Sequence, residues 1–92
     1  MILAVLVDLP ERNTRVQRVK SVFDDACWAL GVEPEFVDVT SYDCRAGAVE
    51  TVPTVFVYDD ADPYGEPLAE HRGGFTAEDI TGLLERGAAL VA

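Results

Sequence analysis

Thr51-Val52-Pro53-Thr54-Val55-Phe56-Val57-Tyr58 decides the fold. Its β-branched and aromatic residues fit a pleated strand. Pro53 has no N–H to give to a ladder, so it belongs at the start of that strand or on an edge. The next stretch, Asp59 to Pro67, is rich in Asp, Pro and Gly and reads as a polar turn. Leu68 to Arg72 is then a short strand, and a turn-linked pair of this kind is antiparallel. Gly73-Gly74 follows. Thr76 with Asp79 three residues on is close to a capping box, with Asp where Glu or Gln is preferred. Ile80, Leu83 and Leu84 form the apolar face of the helix it opens.

Upstream, Ile2 to Val7 is a continuous apolar run, the pattern of a strand covered on both faces. Pro10 ends it, and either Asn13 or Thr14 is suited to cap a helix. From there Val16, Val19, Phe23, Ala26, Cys27 and Leu30 repeat with the 3.6-residue period of one helix face. Gly31 closes that helix. Glu35-Phe36-Val37-Asp38-Val39 alternates and predicts a second strand, and residues 40–50 read as irregular or a short helical turn. A strand–helix–strand unit makes its two strands parallel through a right-handed crossover. The expectation is a single α/β domain over residues 1–92. It has a four-stranded mixed sheet (βαβ, then a β-hairpin, then a helix), an interior first strand and helices packed on it.

The chain has 92 residues, 49% of them hydrophobic, so it buries one modest core and is not a disordered tail. Its net charge of −10 opposes wholesale nucleic-acid binding and an anionic membrane surface. No apolar run reaches the length of a membrane span. Met1 to Leu9 lacks a basic leader and is broken by Asp8, so it reads as a strand and not a signal peptide. Two cysteines, Cys27 and Cys44, are too few for a disulfide-stapled secreted fold, and their spacing matches no zinc pattern. A reducing, cytoplasmic setting is expected, with no metal and no cofactor.

The element order and three local segments resemble the thioredoxin/glutaredoxin superfamily. Thr51-Val52-Pro53-Thr54-Val55-Phe56 is similar to the family's T-V-P-x-V-F segment. Gly73-Gly74-Phe75 before a capped helix is similar to its glycine pair. Gly31 to Val39 reads like its second strand with the entering turn. The resemblance covers essentially the whole chain. It implies a cis bond before Pro53 and a groove where an extended peptide pairs with the backbone of Val52. The family places C-x-x-C or C-x-x-S between the first strand and helix. Here Pro10-Glu11-Arg12-Asn13-Thr14-Arg15-Val16-Gln17 stands instead, without cysteine. One alignment puts Asn13 and Val16 at the sulfur positions, the other Thr14 and Gln17. Exchange needs a thiolate nucleophile, which a Thr hydroxyl or Asn amide does not replace. Asp8 resembles the acidic residue that assists the family's dithiol and has no such proton to move here.

Arg12, Arg15, Arg18 and Lys20 carry four of the seven positive charges at the start of the first helix, where unpaired N–H groups already favour anions. This is either a docking patch for an acidic partner or a solvated face. Trp28 lies off the apolar stripe and is an interface anchor or a ring against a loop. Cys27 is a core residue; Cys44, between Asp43 and Arg45, is an incidental loop thiol or a displaced reactive one.

The leading expectation is a redox-inactive binding protein. It uses Arg12, Asn13, Thr14, Arg15, Val52, Pro53, Gly73 and Gly74 to hold a protein partner or small anionic ligand, with Trp28 and Arg18 as further interface residues. The alternatives are a thiol–disulfide oxidoreductase using Cys44 and a structural subunit of a larger assembly.

Overall fold

A computed structural model describes residues 1–10, 12–40 and 49–92. Cys44 and most of the expected irregular stretch lie outside these residues. Six elements follow in the order β1 (Ile2–Asp8), α1 (Thr14–Ala29), β2 (Pro34–Asp38), β3 (Thr54–Asp59), β4 (Ala69–Arg72) and α2 (Ala77–Val91). The strands form a four-stranded mixed sheet in the order β2-β1-β3-β4. β1 is parallel to β2 and antiparallel to β3, and β3 is antiparallel to β4. The α/β class, the mixed sheet and the interior first strand are as the sequence implies.

Alternation of side chains across β1 divides the core into two layers. Ala4 and Leu6 point to one face, where they meet Phe23, Ala26 and Cys27 of α1 and Ile80, Leu83 and Leu84 of α2. Both helices therefore pack on the same face. Val5 and Val7 point to the other, joining Val37, Phe56 and Tyr58, with Leu3, Val39 and Val49 against them. No described helix is long and apolar enough to cross a membrane.

The helix ends are built from local chemistry. Asn13, not Thr14, caps α1: its side chain accepts from the Arg15 N–H at 2.9 Å. At the other end Gly31 takes φ +68°, a left-handed conformation that favours glycine. The Gly31 N–H donates to the Trp28 carbonyl and the Val32 N–H to the Cys27 carbonyl, a Schellman turn. Leu30 is a correction to the expected stripe. As the C-cap it leaves the helix path and is 42% exposed. In α2 the capping box is complete despite its Asp. The Asp79 N–H donates to the Thr76 hydroxyl and the Thr76 N–H to the Asp79 carboxylate. The second bond is the main reason the Asp79 carboxyl is held below the usual carboxylate range.

Strand limits shift by one or two residues. β3 starts at Thr54 instead of Val52, since Pro53 donates nothing to a ladder. β2 begins at Pro34 and stops at Asp38, although the Val39 N–H still reaches the Asp8 carbonyl at 2.8 Å.

Two glycines inside α2 make opposite predictions. A Cβ at Gly82 would meet nothing within 4 Å, so Gly82→Ala gains helix propensity and should stabilise by about 0.5–1 kcal/mol. A Cβ at Gly87 would sit 2.5 Å from a methyl of Val57, which is stiff and fully buried. Overpacking then outweighs propensity, and Gly87→Ala should destabilise by about 1–3 kcal/mol. Urea unfolding of both variants checks the pair; equal shifts would contradict this packing.

Cys27 is a buried free thiol. Burial, helped by the Asp24 charge, pushes its pKa from 9.0 to about 12. The neutral thiol is the form the fold favours, so its contribution is full below pH 9.0 and is lost as pH rises toward about 12. Iodoacetamide at pH 8 should therefore leave Cys27 unmodified in native protein and label it in urea, read by peptide mass mapping.

Candidate functional site

The register of the sheet brings the candidate residues to one end. Val7 of β1 pairs with Val37 of β2 and Thr54 of β3, and Thr54 pairs with Arg72 of β4. The residues that follow, Asp8 on β1 and Gly73 after β4, thus stand at the same end as Pro53, which precedes β3. Both helices begin here as well, because each follows a strand that ends here.

Val52–Pro53 is a cis peptide bond. The Gly73 N–H donates to the Pro53 carbonyl at 2.8 Å, which joins the proline turn to the glycine pair directly. Thr54, almost fully buried, donates its hydroxyl to the Thr51 carbonyl and closes the turn from the other side. Gly73 has φ +87°, so its freedom is used. Gly74 is exposed, and a Cβ there would meet nothing within 4 Å, so the backbone is open to close approach. The His71 ring is taken up locally, with Nε2 3.1 Å from the Gly74 carbonyl and its edge against Phe75.

The basic start of α1 differs from the open patch that the sequence implies. Asp8 is fully buried, and one of its oxygens accepts from the Leu9 N–H at 2.7 Å and from Arg15 Nη2 at 3.0 Å. Its other oxygen, Oδ2, is buried with no hydrogen-bond partner among the described residues. Arg15 is half exposed but turned onto this carboxylate. Arg12 lies close enough to Asp38 to act on it. The Thr40 hydroxyl, the Thr40 N–H and then the Arg12 charge hold the Asp38 carboxyl below the usual carboxylate range. Lys20 pairs with Asp24 at 3.6 Å. Arg18 is exposed and has no ion pair among the described residues.

The structure therefore gathers Arg12, Asn13, Thr14, Arg15, Val52, Pro53, Gly73 and Gly74 at one end of the sheet. It leaves Trp28 outside this group. Trp28 is 64% exposed in the last turn of α1, about 20 Å from the helix start at roughly 1.5 Å per residue. The described part of this end offers no thiol, since Cys27 is in the core. No group of three or more His, Cys, Asp or Glu suited to a metal occurs among the described residues.

One feature escaped the sequence reading. On the sheet face away from the helices, Phe56 and Tyr58 contribute to a groove of about 590 Å³ that Thr51 and Thr54 extend to the proline turn. Tyr64 and Pro67 wall it from the β3–β4 turn. The signal was present in the two-residue spacing of Thr54, Phe56 and Tyr58. What hid it was that the turn residues that complete it are far from them in local pattern.

The Asp8 pair yields a contrast between neighbouring arginines. Removing Arg15 leaves a fully buried carboxylate with, among the described residues, only the Leu9 N–H, so Arg15→Ala should cost about 1–3 kcal/mol in urea unfolding. Arg18→Ala, with no such partner, should stay within about 0.5 kcal/mol of the parent. Equal effects would show that the Asp8–Arg15 bond contributes nothing to stability.

No protein-family model matches this chain, and no curated protein matches it in sequence.

Proposed function

We propose that this chain is a thioredoxin-like protein without dithiol chemistry, which works by binding an extended segment of a partner protein at the Val52–Pro53 turn. The observation that carries the reading is the Gly73–Pro53 hydrogen bond, which makes the proline turn and the glycine pair one surface. None of the described backbone hydrogen bonds outside the helices and strands engages Val52, which is in keeping with strand-like pairing at its peptide group. Gly74 leaves room for the incoming chain. The absence of cysteine from residues 10–17 supports a binding role over thiol exchange. A small anion as the ligand draws less support, because Arg15 is turned onto Asp8 and Arg12 acts on Asp38.

The test is selection of peptides from a random display library, followed by mapping of amide shifts on the labelled protein. Shifts should concentrate on Val52, Gly73, Gly74 and Phe75. Gly74→Val adds bulk where nothing else is touched, so it should preserve the fold while weakening binding about tenfold, a change of ~1.4 kcal/mol. Shifts confined to another surface, or full affinity in Gly74→Val, would overturn the proposal. So would insulin reduction by the protein that disappears in Cys44→Ser.

A further inference from the structure

The groove beside the proline turn differs in charge from the α1 start. Its floor includes Phe56 and Tyr58, whose rings lie 6.0 Å apart at 40°, and both side chains are nearly buried. Tyr64, 68% exposed, stands at its wall. Among the described residues, three carboxylates line it, Glu50, Glu66 and Glu70, against the guanidinium of Arg72, so this lining is net negative. Arg72 is itself drawn to Glu70 at 3.4 Å. The whole chain adds a net charge of −10 to the same sign.

Aromatic rings with carboxylates at the rim suit a cation on an apolar stem. The stem lies along the rings, the charged head meets the ring faces and the carboxylates, and each is attracted for its own reason. The groove also begins at Thr51 and Thr54, the residues that flank Val52–Pro53. A strand bound at that turn uses its backbone for affinity and its alternate side chains for specificity. Resting on the binding reading above, we infer that the partner segment is basic. It presents arginine or lysine side chains to the groove formed by Tyr58, Tyr64, Glu50 and Glu66, alternating with apolar residues. The negative field of the chain brings such a segment in and disfavours an acidic one.

Labelled octapeptides of alternating valine and arginine, valine and serine, and valine and glutamate test this by fluorescence anisotropy. The arginine peptide should bind at least about tenfold tighter than the glutamate peptide at low salt, and the gap should narrow by 0.5 M salt. The double variant Glu50→Gln/Glu66→Gln should weaken the arginine peptide about fivefold, and Tyr64→Ala about threefold. Glu33→Gln/Glu85→Gln, which removes two exposed charges outside the groove, should change little. Equal losses in the two double variants would reduce the effect to net charge and overturn the inference. Serine or glutamate peptides that bind as tightly, with shifts at Val52 and Gly73, would overturn the basic specificity and leave the binding reading standing. Binding of argininamide as tight as the arginine octapeptide would make the groove a small-cation site instead. Failure of every peptide to bind would remove both proposals.

Discussion

A strand with apolar side chains on both faces has to be covered twice and paired twice, and β1 imposes that requirement on everything around it. Ala4, Val5, Leu6 and Val7 are all fully buried. Their alternation gives the helices one face and Phe56 and Tyr58 the other. Pairing on both edges places β2 and β3 at fixed register, and β3 in turn fixes β4. The end of β1 is therefore the point where two helix starts, the proline turn and the glycine pair converge. The geometry of the candidate site follows from the burial of four consecutive residues.

The parts of this arrangement that depend on periodicity or turn chemistry were legible in the sequence. The run at Ile2 to Val7, the stripe from Val16 to Cys27, Gly31 and Thr76 with Asp79 each carry their meaning within a few residues. Leu30 was misplaced because a periodic pattern does not say where the chain leaves the helix. The strand that the sequence leads in with Val52 and Pro53 begins just after the proline, at Thr54. The pairing of Arg15 with Asp8 was not legible, since the two are seven residues apart across a turn. Read as a list, the α1 start is a run of positive charge. Folded, much of that charge answers carboxylates at the ends of β1 and β2.

This changes what the site is suited to hold. A helix start with unmatched arginines would favour phosphate or carboxylate. On the other side of the proline turn lies a groove in which, among the described residues, carboxylates outnumber arginine. Apolar floor, acidic rim and proline turn are brought side by side by one register, which is the arrangement on which the proposed reading of side chain and main chain together rests. The thiol among the described residues, Cys27 on the inner face of α1, is buried and held in its neutral form.

The two outer strands have a further consequence for behaviour at high concentration. β4 is only four residues long and carries Glu70 and Arg72 exposed, while β2 opens with Pro34 and ends at Asp38. Short length, proline and charge are the means by which sheet edges resist pairing with another chain. The proposed strand-pairing turn thus lies between borders that resist pairing. Edge-to-edge extension of the sheet from one copy to the next is opposed at both margins.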